Sequence, residues 1–201
     1  DAGTLRLGTS GVIADTSRLI VQSGATLDMQ GNDETVAVAW LNGTVNNSVP
    51  PPSPLAGGAG DGPQATLLPT GTGTLTAADI WLNGATLNAN LGTGFLGNAA
   101  GVSILNGTSA AGTVAVVAGT LRLGESERLA DSAILSISSG ATLDLQGFDE
   151  TVAVALLSGT LDGAGTPFSP LFSDFGKSPE LVAWNPGPVG TGTLTAAEYY
   201  L

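Results

Sequence analysis

The chain of 201 residues contains no histidine and no cysteine. Cys/His zinc sites, thiol nucleophiles, disulfides and any imidazole general base are therefore excluded. Lack of cysteine does not fix a compartment, but it is compatible with a chain that is exported unfolded and must avoid premature cross-links. Basic residues are nearly as scarce: 5 Lys and Arg stand against 17 Asp and Glu, a net charge of −12. Such a chain repels nucleic acid and anionic lipid, so no nucleic-acid partner is expected. Charged residues make up 11% of the sequence, where roughly 25% is ordinary. Amphipathic helices, which need a charged outer face, are disfavoured by that shortage. No apolar run reaches the ~18 residues of a membrane helix, so no membrane insertion by this segment is expected. The N-terminus lacks the basic start and apolar block of a signal peptide; an export signal, if used, would lie outside this chain.

What is present is apolar and turn-rich. Hydrophobic residues at 42% suffice for a core, and the 30 glycines suit short strands joined by tight turns. The chain also repeats itself. Residues 24–39 (Gly-Ala-Thr-Leu-Asp-Met-Gln-Gly-Asn-Asp-Glu-Thr-Val-Ala-Val-Ala) return almost unchanged at 140–155, an offset of 116. Gly-Thr-Leu-Arg-Leu-Gly at 3–8 returns at 119–124, and Gly-Thr-Gly-Thr-Leu-Thr-Ala-Ala at 71–78 returns at 190–197. One long unit therefore occurs about 1.7 times, as a repeat over 2–118 and a truncated one over 119–201.

A shorter beat runs inside the long one. Turn-like glycines at 3, 24 and 43, and again at 119, 140 and 159, are spaced by 21 and 19 residues, a period suited to a solenoid. Between them lie β-type runs such as Thr35–Trp40, Val102–Leu105, Ile134–Ile137 and Thr151–Ala155. Thr74–Trp81 is the nearest helix candidate, and its alternation reads equally well as strand. A strand of this length buries too little alone. Coiling the chain lets each strand pair with its equivalent one turn away, placing Leu27 over Leu5 and Leu143 over Leu121. Ala37, Ala39, Ala153 and Ala155 suit a narrow interior. Glycines and the Asn-Gly pairs 42–43, 83–84 and 106–107 suit left-handed corners. The fold expected is an all-β, single-stranded parallel β-helix, continuous over 1–201, of about eight to ten rungs and roughly 40–50 Å in length.

All 11 prolines fall within 50–69 and 167–188. Proline cannot donate to a ladder, so loops over 46–70 and 162–189 are expected to leave the coil on one side. The second carries Phe168, Phe172, Phe175 and Trp184, the candidate ligand-binding residues of the chain. Exposed aromatics stack on sugars or dock proteins; the competing reading, and the preferred one, folds them onto the rod as a small satellite core. Neither end carries the polar cap a solenoid needs. Neighbouring repeats of a longer chain, or stacked copies, are the expected partners there.

The phrases Gly3-Thr-Leu-Arg-Leu-Gly8, Ser126-Glu-Arg-Leu-Ala-Asp131, Ser139-Gly-Ala-Thr-Leu-Asp-Leu-Gln-Gly147, Leu105-Asn-Gly-Thr-Ser109 and Gly190-Thr-Gly-Thr-Leu-Thr-Ala-Ala197 resemble autotransporter-associated β-strand repeats. The resemblance covers nearly the whole chain except the proline-rich segments. It implies a right-handed β-helix displayed on the cell surface of a Gram-negative bacterium as a stalk or adhesive passenger, anchored in the outer membrane through a C-terminal barrel that this chain lacks. A host glycan or protein would be its target.

The pairs Asp33-Glu34 and Asp149-Glu150 could bind calcium or act as acid and base. Neighbouring strand residues face opposite ways, which favours solvated corners whose acids accept turn amides. Asp28 and Asp144 read as outward polar filler, and Arg6, Arg18, Arg122 and Arg128 as partners of acids such as Asp15 or Asp131. Two Thr-Gly-Thr triplets are too few for a water-ordering plane, and the Asn-Gly-Thr sequons at 42–44 and 106–108 read as turns. The sequence thus points to a non-catalytic structural and adhesive module, with no cofactor and no metal. A carbohydrate-binding module working through the aromatic loop and a self-assembling filament subunit are the alternatives.

Overall fold

The computed structural model of the protein describes residues 2–48, 72–163 and 192–201. These residues form a parallel β-solenoid of about seven turns with no helix. Each turn contributes one strand to each of two parallel sheets. The narrow sheet stacks Thr4–Arg6, Thr26–Asp28, Thr44–Asn46, Thr86–Leu87, Val102–Leu105, Thr120–Leu123, Thr142–Asp144 and Thr160–Asp162 in that order. The broad sheet stacks Arg18–Val21, Glu34–Leu41, Thr74–Asn83, Phe95–Ala100, Thr113–Val116, Ile134–Ile137, Glu150–Leu157 and Leu194–Tyr200, with the two-residue strand Asn90–Leu91 beside Thr74–Asn83. Eight stacked strands in each sheet make eight rungs, separated by about seven turns, at the lower end of the eight to ten expected. Residues 49–71 and 164–191, which hold every proline, lie outside the described residues. The coil itself rises roughly 30–35 Å at about 4.8 Å per turn.

Register explains why the sequence repeats as it does. Thr4 pairs Thr26, and Thr26 pairs Thr44, at steps of 22 and 18 residues; Thr120 pairs Thr142, and Thr142 pairs Thr160, at the same two steps. Within each strand alternate residues face inward, so this register keeps the leucines inside, and a slip of the pairing by one residue would turn them outward. Leu5 stands over Leu27 and Leu121 over Leu143, as the sequence predicts. In the broad sheet Leu19, Ala39, Ile80, Leu96, Val114, Leu135 and Ala155 form one inward column. Ala39 and Ala155 are fully buried there, alternating with branched neighbours as a narrow interior requires. Ala37 and Ala153 are only half-buried. The strand turns between Val36, which is buried, and Ala39, which is also buried, so the intervening pair occupies a corner. Thr74–Asn83 is strand throughout.

The corners are built in two ways. At Gln30-Gly31 and Gln146-Gly147 both residues take positive φ (52° and 80°; 53° and 85°). Gly84 also has positive φ (74°), as expected for Asn-Gly. Gly43 and Gly107 do not; there a Cβ would strike the backbone carbonyl oxygens of Gln22 and Ala89 in the adjoining turn. Their glycine is set by close packing of turns, not by a left-handed backbone.

Residues 46–48 belong to the coil, which corrects the expected start of the first loop at 46. Asn46 ends a strand, and the buried Asn47 accepts a hydrogen bond from Gly31 N (2.8 Å) and donates to Gly73 O (2.8 Å). Asp162 likewise ends a strand, so the second loop does not begin there. A Cβ on Gly163, the counterpart of Asn47, would lie 2.9 Å from Gly192 O. The flanks of both proline-rich segments are thus brought together at equivalent corners.

Candidate functional site

The acids singled out in the sequence accept hydrogen bonds from the backbone of the coil. Asp33 and Asp149 are exposed, and each accepts a backbone amide where the chain rejoins the coil: Thr74 N at 2.8 Å and Thr193 N at 2.9 Å. Their neighbours are not solvated. Glu34 and Glu150 are each 1% exposed, and their carboxylates fold back on the preceding turn. Glu34 accepts from Val12 N (3.0 Å) and Ile13 N (3.3 Å); Glu150 accepts from Arg128 N (2.8 Å) and Leu129 N (3.1 Å). Burial pushes the Glu150 carboxyl up to about 7, against the opposing pull of those amides.

Asp28 and Asp144 are buried rather than outward filler. Asp144 accepts from Gln146 N, Gln146 Nε2 and Arg122 Nε, each at 2.9 Å. Asp28 accepts from Gln30 N (3.2 Å), Ser48 N (3.2 Å) and Ser48 Oγ (2.6 Å), with Arg6 Nε at 3.6 Å. The amide bond to the residue two ahead is an Asx turn, which holds Gln30 and Gln146 in their left-handed conformation. The arginines therefore pair with Asp28 and Asp144, and Arg128 with Glu125 (3.4 Å), instead of with Asp15 or Asp131. Among the described residues no three potential metal-ligating side chains gather.

Phe168, Phe172, Phe175 and Trp184 lie outside the described residues. A different aromatic group is present on the outer face of the broad sheet. Register places Ile20, Trp40, Trp81 and Gly97 in one outward row, and Arg18, Val38, Asp79 and Phe95 in the next. The indoles of Trp40 and Trp81 stack with centroids 5.9 Å apart and planes 19° from parallel. Phe95 tilts against Trp81 at 5.0 Å and 54°. Gly97 makes room: a Cβ there would lie 2.6 Å from the Trp81 ring. Trp40, at the top of the stack, remains 43% exposed, and Ile20 beside it 51%.

An open groove of about 400 Å³ runs beside Trp40 across four turns, bordered by Arg18, Ile20, Asn42, Asn83 and Ala100 among others. The sequence carries a signal for this cluster. Trp-Leu-Asn-Gly occurs at 40–43 and again at 81–84, and the two copies stack in register through Trp40–Trp81 and Leu41–Leu82.

Comparison of the chain with protein-family models, with curated proteins and with solved structures finds no match in any of the three.

Proposed function

We propose that the chain is a structural and adhesive β-solenoid segment of a surface-displayed autotransporter passenger, without catalytic activity. The observation that carries this reading is the stacking of parallel strands over about seven turns, with apolar side chains held outward along one face. A coil hydrogen-bonded turn to turn makes a stiff spacer, and strand-borne exposed side chains give it a rigid contact surface. The buried carboxylates support the non-catalytic part: Asp28, Glu34, Asp144 and Glu150 are engaged by backbone amides of the turns they brace. Attachment is through an outer-membrane barrel, and the partners are neighbouring repeats together with a host surface.

The test is display. The chain is fused upstream of a translocator barrel in a non-adherent Gram-negative host, and protease accessibility and binding to epithelial monolayers are measured. The expected result is surface exposure with adhesion above that of cells carrying the barrel alone. A chain that reaches the surface and adds no adhesion contradicts the reading.

A further inference from the structure

We propose that the surface around Trp40 is a glycan-binding site, on which a pyranose oligosaccharide stacks against the indole and hydrogen-bonds Arg18, Asn42 and Asn83. The inference gives a ligand class to the adhesive reading above. It stands on three observations.

The first is a large aromatic ring held rigid and left bare. Trp40 is fixed by the strand that carries it and by the Trp81 ring against it, yet nearly half its surface meets solvent. A preorganised flat ring loses little freedom on binding. The second is where uncommitted polar groups are found. Among the described residues Arg6, Arg122 and Arg128 each form an ion pair, while the Arg18 side chain forms no hydrogen bond or ion pair. The asparagines follow the same division. Asn32, Asn46, Asn47, Asn88, Asn90, Asn98 and Asn106 all use their side-chain amides, while those of Asn42 and Asn83 make no such bond. The three uncommitted groups border the same groove. The third is that residues of four successive turns border the groove, so it suits an extended chain.

These features together match a sugar better than other partners. A pyranose ring offers an apolar C–H face to an indole and a rim of hydroxyls that both donate and accept. Carboxamides answer both roles, and a guanidinium supplies donors. Nucleic acid is disfavoured by the net charge of −12. The chain also contains its own control. In the second long repeat Leu156, Tyr200, Ser158 and Ile134 occupy the positions of Trp40, Trp81, Asn42 and Arg18. That face is exposed too, with Leu156 at 38% and Tyr200 at 53%, but it lacks the indoles and the carboxamide.

The experiment is an NMR titration of the full chain, following the Trp40 indole N–H while cellohexaose, mannohexaose, xylohexaose or hexagalacturonate is added. At least one hexaose is expected to shift that signal saturably. Trp40→Ser should weaken binding at least about tenfold, and Arg18→Gln and Asn42→Ala about threefold each. Leu156→Ser should bind as wild type does, and the thermal melt of every variant should match the parent. Failure of all four hexaoses to move the Trp40 signal overturns the proposal, as does binding that survives Trp40→Ser. A Trp40 signal that moves with protein concentration alone also overturns it, since the face then meets a second copy. Adhesion that persists without hexaose binding removes this site and leaves the adhesive reading; hexaose binding by a chain that adds no adhesion does the reverse.

Discussion

At the scale of single residues, the acids decide most. Asp28 and Asp144 sit at the head of the Gln-Gly corners, and each holds its corner by an amide bond two residues on. Glu34 and Glu150 reach back about one turn and tie the preceding corner to the strand they begin. Burial of Glu150 has a consequence for stability. Its carboxyl rises from 4.5 to about 7 on folding, so the folded state holds a proton that the unfolded chain releases. The stabilisation is fully present below pH 4.5 and is lost as pH rises through about 7. Between pH 8 and pH 5 the urea midpoint should therefore increase, with a gain on the order of 1–3 kcal/mol. Glu150→Gln should flatten that slope, and a wild-type midpoint that falls toward pH 5 would contradict the assignment. None of this was readable in the sequence. An acid beside a glycine turn looks the same whether its carboxylate meets water or folds onto a turn some twenty residues away.

At the scale of elements, the strands are short, and each is stable only through the one above and below it. Leu121 is fully buried and stands between Ser103 and Leu143 in the narrow sheet. Leu121→Ala should lower unfolding stability by about 2–5 kcal/mol, read from urea denaturation. A loss below 1 kcal/mol, the size expected at a surface position, would mean that this column is not core. The leucine ladders were legible because the sequence returns at nearly the same spacing, with leucine over leucine in register. The Trp40–Trp81 stack was harder to read. Alternation puts both rings outward, but their pairing spans 41 residues, across a proline-rich segment that hides the turn period. The repeated Trp-Leu-Asn-Gly tetrapeptide was the available sign. The three Asn-Gly pairs look alike in sequence, yet only Gly84 of the three has positive φ. Sequence spacing cannot reveal that a neighbouring turn passes against Gly43 and Gly107.

At the scale of the whole molecule, the long repeat builds two versions of one surface. The narrow sheet carries a polar ladder outside, the side chains of Asn46, Asn88 and Asn106 linked at 2.7 and 2.6 Å. The broad sheet carries apolar side chains among polar ones on its outer face: Ile20, Trp40 and Trp81 in the first long repeat, Ile134, Leu156 and Tyr200 in the second. A coil can vary its outer face freely while its inner columns stay fixed, and that separation is what would let a repetitive stalk carry a local binding surface. All of it depends on the parallel stacking of turns in the stated register. Because the chain has no cysteine, paired substitutions test this directly. Thr26→Cys with Thr44→Cys places two thiols on facing residues of adjacent strands, within the Cα separation that a disulfide spans. Mild oxidation should cross-link this pair rapidly in the folded monomer, and Thr26→Cys with Thr142→Cys, on strands far apart in the same sheet, should stay reduced. Failure of the first pair to close, or equal cross-linking of both, would contradict the solenoid.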